Sequence, residues 1–157
     1  MDNLNDFIKE HFIYEISMLQ FTVQELRIIK SRSNLSNVLI ESFVLHSRNI
    51  IDFYLIEETK KQEDDVIALD FKTKTNRWNR IVKEHYSTLN AIKIRANKEL
   101  AHLTRKRKNG ITTDKGWDHE EIYSIIYEII TTFISELEDF KLQSELQSML
   151  KRIGFSH

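Results

Sequence analysis

An all-α protein is the fold class that this sequence predicts, and three observations predict it. The chain of 157 residues has no proline and only three glycines, at positions 110, 116 and 154, so the strongest helix breakers are absent from its first hundred residues. Apolar residues make up 41% and charged residues 30%, a balance that suits helices with one buried and one solvated face. Apolar residues also recur with helical periodicity. We therefore predict an antiparallel four-helix bundle with an additional C-terminal helical segment, forming a single helical domain over residues 1–157.

The first two predicted helices are long and differ in how much of their surface is apolar. The first covers residues 3–30 and has one apolar stripe, made of Ile8, Phe12, Leu19, Val23 and Leu26. Asn34 is the predicted N-cap of the second helix, over residues 35–58. This helix has two apolar stripes, Leu39, Phe43, Ile50 and Phe53 on one and Val44, Ile51 and Leu55 on the other. A surface this widely apolar predicts a central, largely buried helix.

The second half of the chain contains the two remaining long helices. Residues 59–75 form the most polar connection, for which we predict a packed loop with a short docking turn at 66–71. Thr75 or Asn76 can cap a third helix that ends near residue 104. Trp117 is a predicted hydrophobic anchor, and Asp118 with Glu121 matches a capping box before the fourth helix. The stripe of that helix is Ile122, Ile125, Ile126, Ile129, Phe133, Leu137 and Phe140, and the helix continues or restarts through Leu142, Leu146 and Leu150.

Charge and the N-terminal residues limit the partners and the location that we expect. The formal net charge is −1, so any attraction to nucleic acid or to an anionic membrane must be local. The absence of cysteine fits a reducing compartment without proving one. Asp2 and Asp6 stand where a signal peptide needs a basic start, and no stretch approaches the roughly 20 apolar residues of a membrane span. We expect a soluble, cytoplasmic protein with no membrane partner.

One segment near the end of the third helix combines a cation with a proton-transfer group. Arg95 and His102 are seven residues apart, which brings them to nearly the same side of a helix, with Lys98 and Glu99 between them. Arginine carries a permanent charge that matches phosphate oxygens, and histidine has an unperturbed pKa of about 6.5. A structural role is the alternative, in which Arg95 pairs with Glu99 one turn away and His102 is a half-buried residue at a helix end.

The same residues resemble a pattern of the HEPN superfamily (higher eukaryotes and prokaryotes nucleotide-binding). The pattern is an arginine, four to six residues and a histidine near the end of the third helix of a four-helix bundle, and six residues separate Arg95 from His102. Three stretches resemble a group of uncharacterised bacterial HEPN-like proteins. The interval from the first of them to the last spans about half of the chain. They are LHSRNIIDF at 45–53, NKELAHLT at 97–104 and GWD at 116–118.

The resemblance implies a homodimer or pseudo-dimer whose two Arg and His pairs face one cleft, and in active members a metal-independent endoribonuclease. Arg95 and His102 are the positions that match the catalytic pair: histidine suits the proton steps at the ribose 2′-hydroxyl and the leaving oxygen, and arginine suits charge on the phosphorane. A toxin or phage-defence setting, with an antitoxin or other neighbouring protein as partner, rests on the resemblance alone. Active members commonly have a polar residue directly after the arginine, whereas this chain has Ala96, with Asn97 one place later.

Other residues could complete a polar, cationic cleft around this pair. Asn97 and Lys98 lie within the segment, while His46 and Asn49 on the second helix could face it across the bundle. The alternative for His46 is a core position, which is more common for a histidine on an apolar stripe. Four cations follow the third helix and could bind RNA phosphates or only stabilise the helix end: Arg105, Lys106, Arg107 and Lys108.

No pattern in the sequence predicts a bound metal or cofactor. Asp64, Asp65 and Asp70 lack the alternation, glycine and terminal glutamate of a calcium loop, and the remaining histidines lack zinc-ligand spacing. The leading hypothesis, which rests on the resemblance, is an RNA-directed ribonuclease that needs no metal. The rival is a non-catalytic helical module for dimerisation, partner docking, or binding of RNA or nucleotide, and the fold class alone does not decide between them.

Overall fold

Helices account for most of the described chain. The computed structural model of the protein describes residues 4–29, 33–100 and 116–155, and no strand forms within these ranges. The helices are α1 (Leu4–Phe7), α2 (Ile13–Ile28), α3 (Asn34–Leu55), α4 (Arg77–Glu84), α5 (Tyr86–Leu100), α6 (His119–Glu136) and α7 (Phe140–Arg152), and a π-helical segment (Ile8–Phe12) joins α1 to α2. The all-α prediction is confirmed. None of the described helices has the length and apolar character needed to cross a membrane.

The central helix is α3, which contacts α2, α5 and α6. Its two predicted apolar stripes are buried except for Leu55, which is half-buried. The ring of Phe53 lies 4.3 Å from that of Phe12, in the π-helical segment, and 5.7 Å from that of Phe133 on α6. Aromatic packing of this kind holds three elements to one core. The prediction of a central, largely buried second helix is therefore confirmed.

Several helix boundaries differ from the predicted ones. The helix predicted over residues 3–30 is divided into α1, the π-helical segment and α2, and the one predicted over 35–58 ends at Leu55. Ser33 caps α3, because its hydroxyl accepts from the Ser36 N–H at 3.2 Å and the Ser36 hydroxyl accepts from the Ser33 N–H at 2.8 Å. Asn34 is the first helical residue, so its prediction as the N-cap is wrong. The predicted third helix is interrupted at His85, where ψ is 8°. The interruption separates α4, which packs against α6, from α5, which packs against α3.

The last two helices begin at aspartate caps. Asp118 accepts from the Glu121 N–H at 3.0 Å, as predicted, and Asp139 accepts from the Leu142 N–H at 3.0 Å. The hydrogen bond from Leu142 is the main reason why the pKa of Asp139 lies below its usual value. The predicted fourth helix therefore ends at Glu136 and restarts as α7. The prediction of Phe140 on its apolar stripe is wrong, because this residue is the first of α7 and its side chain is exposed.

The connection between α3 and α4 is packed against the core, as predicted. Its turn Ala68–Asp70 is flanked by Ile67 and Phe71, and Ile67, Ala68 and Phe71 are buried. Asn76 is the N-cap of α4, but its side chain makes no capping bond. The buried carboxylate of Glu136, at the end of α6, instead accepts from the Trp78 N–H at 3.3 Å and from the Thr75 hydroxyl. The Thr75 hydroxyl also accepts from the Arg77 N–H at 3.3 Å, so a local residue and a side chain from a distant helix share the cap.

Candidate functional site

The side chain of Arg95 has a defined position near the C-terminal end of α5. Its Nε donates to Glu99 Oε1 at 2.8 Å, and its Nη1 donates to the carbonyl oxygen of Gly116 at 3.2 Å. The guanidinium carbon lies 4.0 Å from the centre of the Trp117 ring, a cation–π contact. The side chain is 33% exposed. The guanidinium is therefore oriented by three neighbours and still reaches solvent.

The other half of the expected pair lies outside the described residues. His102 is in the interval 101–115, and so are the four cations Arg105, Lys106, Arg107 and Lys108. The described chain therefore fixes the geometry of Arg95 alone. The Arg95–Glu99 ion pair, which the spacing suggested as a structural alternative, is present.

The three residues that follow Arg95 lie on different sides of α5. Ala96 is buried in the core, and Lys98 is exposed to solvent. Asn97 faces α3, where its Oδ1 accepts from Arg48 Nε at 2.5 Å. Residues two apart differ by about 200° around a helix, so Asn97 and Arg95 lie on nearly opposite sides of α5. The first polar residue after Arg95 is therefore not beside it.

Polar side chains connect α2 to α3 at the level of His46. Glu15 Oε2 lies 2.7 Å from His46 Nδ1 and accepts from Asn49 Nδ2 at 3.2 Å. The His46 side chain is only 8% exposed, and the ring of Tyr14 packs edge-on against it with 5.8 Å between ring centres. His46 thus lies among apolar neighbours, as the stripe predicted, and has a carboxylate partner on another helix.

The same set of contacts continues from α3 to α5 through Arg48. Its Nη1 donates to Asn49 Oδ1 at 3.3 Å, and its Nη2 lies 3.3 Å from Asp52 Oδ2. Asp52 Oδ1 in turn lies 2.5 Å from Lys93 Nζ on α5. We call the connected side chains the polar row: Glu15, His46, Asn49, Arg48, Asn97, Asp52 and Lys93.

The polar row divides the residues predicted to support Arg95. It brings together His46, Asn49 and Asn97, whereas Arg95 and Lys98 do not belong to it. Its two carboxylates, of Glu15 and Asp52, balance its two permanent cations, Arg48 and Lys93. A charge-balanced, mostly half-buried set of mutually bonded side chains attracts phosphate weakly and ties helices together well.

Sequence reasoning missed Glu15, Lys93 and the contact between Arg95 and Trp117. Each of these contacts joins residues that are far apart in the chain, so helical spacing cannot show it. One signal for Glu15 was available, because this carboxylate stands between Ile13 and Ile16, which are both buried. A carboxylate beside an apolar stripe needs a hydrogen-bonding partner on a neighbouring element.

Residues 4–29, 33–100 and 116–155 contain no group of three or more His, Cys, Asp or Glu side chains that could hold a metal ion. Comparison of the chain with protein-family models, with curated proteins and with solved structures found no match in any of the three. A functional assignment must therefore come from the residues themselves.

Proposed function

We propose that this chain is an RNA-directed protein of HEPN type, a metal-independent endoribonuclease in which Arg95 and His102 of two subunits face one cleft. The proposal takes the helices as an antiparallel four-helix bundle with α7 as its additional C-terminal segment. It takes the protein to act in the cytoplasm, in a toxin or phage-defence system, with an antitoxin or other neighbouring protein as partner.

The observation that carries the proposal is the orientation of the Arg95 guanidinium. Glu99, the Gly116 carbonyl and the Trp117 ring hold it, while a third of the side chain stays exposed. A cation oriented before substrate arrives needs little reorganisation when charge develops on a phosphorane. Its planar fork of donors also matches phosphate oxygens better than a lysine would.

His102 supplies the proton transfers in this proposal. Two copies of the chain would bring two histidines to the cleft, so that one takes the proton of the 2′-hydroxyl while the other protonates the leaving oxygen. Lys98 and the cations at 105–108 provide the local positive field that a net charge of −1 does not. Asn97 is bonded to Arg48 and supports the fold rather than the cleft.

A non-catalytic helical module is the second candidate, and two observations favour it. The Arg95–Glu99 ion pair is what a structural arginine on a helix surface would make. Large apolar side chains are also exposed along α2 and α3, which is typical of a docking or dimerisation surface.

Cleavage of RNA in the presence of EDTA distinguishes the two candidates. The purified protein, His102→Ala and Arg95→Ala are incubated with total RNA, and the fragments are examined for 2′,3′-cyclic-phosphate ends. We expect the unmodified chain to cut RNA. His102→Ala should lose at least about a hundredfold in rate, since general acid–base catalysis contributes roughly 10²–10⁴. A further variant, Arg95→Lys, should retain more activity than Arg95→Ala.

His11→Ala and Arg80→Ala are the matched controls, because both residues are exposed and lie on elements other than α5. They should cut as the unmodified chain does. Equal cutting by all five variants would reveal a contaminating nuclease, and no cutting by any would leave the non-catalytic module as the function.

A further inference from the structure

Six large apolar side chains are exposed on the side of α2 and α3 that is turned away from the core. Their exposed fractions run from 44% to 69%. We call this surface the outer α2–α3 face, and its residues are Tyr14, Phe21 and Ile28 on α2 and Leu35, Val38 and Leu45 on α3. Single exposed apolar residues are common, but six on two adjoining helices form a patch.

The six residues form two rows. Tyr14, Phe21 and Ile28 are spaced by seven, so they lie along one line of α2, and Val38 and Leu45 have the same spacing on α3. The Tyr14 ring contacts His46, the neighbour of Leu45, while Ile28 and Leu35 flank the connection between the helices. The two helices therefore run in opposite directions, and the rows lie side by side with their ends at the same levels.

We propose that the outer α2–α3 face binds a second copy of this chain. A two-fold axis running along the groove between the helices would lay the α2 row of each copy on the α3 row of the other. Tyr14 would then meet Leu45, and Phe21 would meet Val38, twice in each dimer. Because the two apolar rows lie side by side at the same heights, the α2 row of each copy can pack on the α3 row of the other. Such a surface is self-complementary, as a two-fold interface requires.

The exposed apolar area of the outer α2–α3 face is close to the area that one partner buries in a standard protein interface. Six large side chains that are about half exposed present on the order of 600 Å² of apolar surface, given full areas of roughly 150–250 Å² for the aromatic ones. A standard protein interface buries about 800 Å² per partner, of which the rim is polar. Polar residues border the rows at Gln24, Glu25, Glu41 and Arg48 and complete that area.

The charges at the border disfavour a membrane as the occupant. Amphipathic helices that lie on anionic lipid carry lysine and arginine on their polar side. Here the border includes the carboxylates of Glu25 and Glu41, with Glu10 beyond Tyr14. Arg95 lies on the side of α5 away from the residues that contact α3, so the face is distinct from the cleft proposed above and does not depend on ribonuclease activity.

Sedimentation of the full chain tests the proposal. At concentrations up to a hundred micromolar we expect the unmodified chain to form an assembly twice the size of the one formed by variants in which this face is disrupted. Phe21→Glu and Val38→Glu should each raise the dissociation constant by roughly a hundredfold, because each places unpaired charges in an apolar contact twice per dimer. Phe140→Glu is the matched control, since Phe140 is an exposed aromatic on α7, and it should dimerise like the unmodified chain.

Cysteine labelling gives a second readout that does not depend on charged variants. The chain has no cysteine, so Val38→Cys and Phe140→Cys each introduce a single thiol. Alkylation of Val38→Cys should slow at least fivefold as the protein concentration rises to that of the dimer, whereas Phe140→Cys should react at a constant rate. An assembly of the same size in both Glu variants as in the unmodified chain, or concentration-independent labelling of Val38→Cys, would overturn the proposal, whether or not the chain also pairs at the proposed cleft.

Discussion

Tyr54 and Tyr123 are two buried tyrosines whose hydroxyl groups have different surroundings. The hydroxyl of Tyr123 donates to Gln20 Oε1, which is itself buried. The hydroxyl of Tyr54 has no hydrogen-bonding partner among the described residues, and the cavity that Tyr54 borders with Ile50 and Leu89 has no room for a water molecule. An unsatisfied buried hydroxyl lowers stability, whereas a satisfied one does not.

We predict opposite effects for the two tyrosine-to-phenylalanine changes. Tyr54→Phe should raise the free energy of unfolding by about 1 kcal/mol, because it removes an unpaired group without changing the packing. Tyr123→Phe should lower it by about 1 kcal/mol, because Gln20 loses its donor. Urea unfolding of both variants beside the unmodified chain measures the difference, and a loss of stability in Tyr54→Phe would contradict the assignment.

The stability difference between Tyr54→Phe and the unmodified chain should grow at alkaline pH. Burial raises the pKa of Tyr54 well above its usual value of 10, so the folded chain resists the ionisation that the unfolded chain undergoes. Stability from this group is complete below about pH 10 and is lost as the pH rises above it. Tyr54→Phe has no such loss, and its advantage in unfolding free energy should therefore widen above pH 10.

At the scale of elements, the cap of α4 is the feature with the clearest consequence. Glu136 lies 58 residues from Trp78 in the chain, yet its carboxylate accepts from the Trp78 N–H. Its backbone carbonyl also accepts from the Lys74 N–H at 2.7 Å. The end of α6 and the start of α4 are thus fixed to each other by one residue.

Glu136→Ala should destabilise the protein by about 2 kcal/mol, because hydrogen bonds to a charged group contribute roughly 1.5–3 kcal/mol and buried donors lose their partner. Glu136→Gln should lose less, since its amide oxygen can still accept one bond. Glu138→Ala, which removes an exposed carboxylate two residues later, is the control. Thermal unfolding of the three variants checks the order, and equal effects of Glu136→Ala and Glu138→Ala would show that no cap is lost.

The sequence was sufficient for features that depend on spacing within one helix. The stripes of α3 and α6, the Asp118 cap and the Arg95–Glu99 pair all follow from residues three, four or seven apart. It was not sufficient where residues on different elements meet, as at Glu136 and Trp78 or at Glu15 and His46. The break at His85 lacks any glycine or proline, and packing of α4 and α5 against different helices accounts for it better than local propensity.

At the scale of the whole molecule, the polar row joins three helices, because it connects α2 to α3 and α3 to α5. Glu15 contributes from α2, His46 and Arg48 from α3, and Asn97 and Lys93 from α5. Satisfied polar networks rigidify the elements that they join, and loss of one member leaves the others unpaired. These contacts add to the apolar packing that already holds α5 against α3 through residues such as Leu89, Ile92 and Ala96.

Glu15→Ala should therefore lower the free energy of unfolding by about 2 kcal/mol, since it leaves His46 and Asn49 without their acceptor. Glu10→Ala, an exposed carboxylate on the preceding turn, should have little effect. Urea unfolding provides the measurement. If the chain cleaves RNA as proposed, cleavage per folded molecule should be the same for Glu15→Ala as for the unmodified chain. A specific loss of cleavage would instead place the polar row in the proposed cleft.

The hydrogen bond from Arg95 to the Gly116 carbonyl and the contact of its guanidinium with the Trp117 ring tie the C-terminal end of α5 to the residues just before α6. Arg95 therefore makes structural contacts whatever its role as a cation. Replacing it by alanine removes the contacts and the charge together, so the unfolding free energy of Arg95→Ala belongs beside its cleavage rate. A loss of cleavage at unchanged stability would assign the effect to the lost charge.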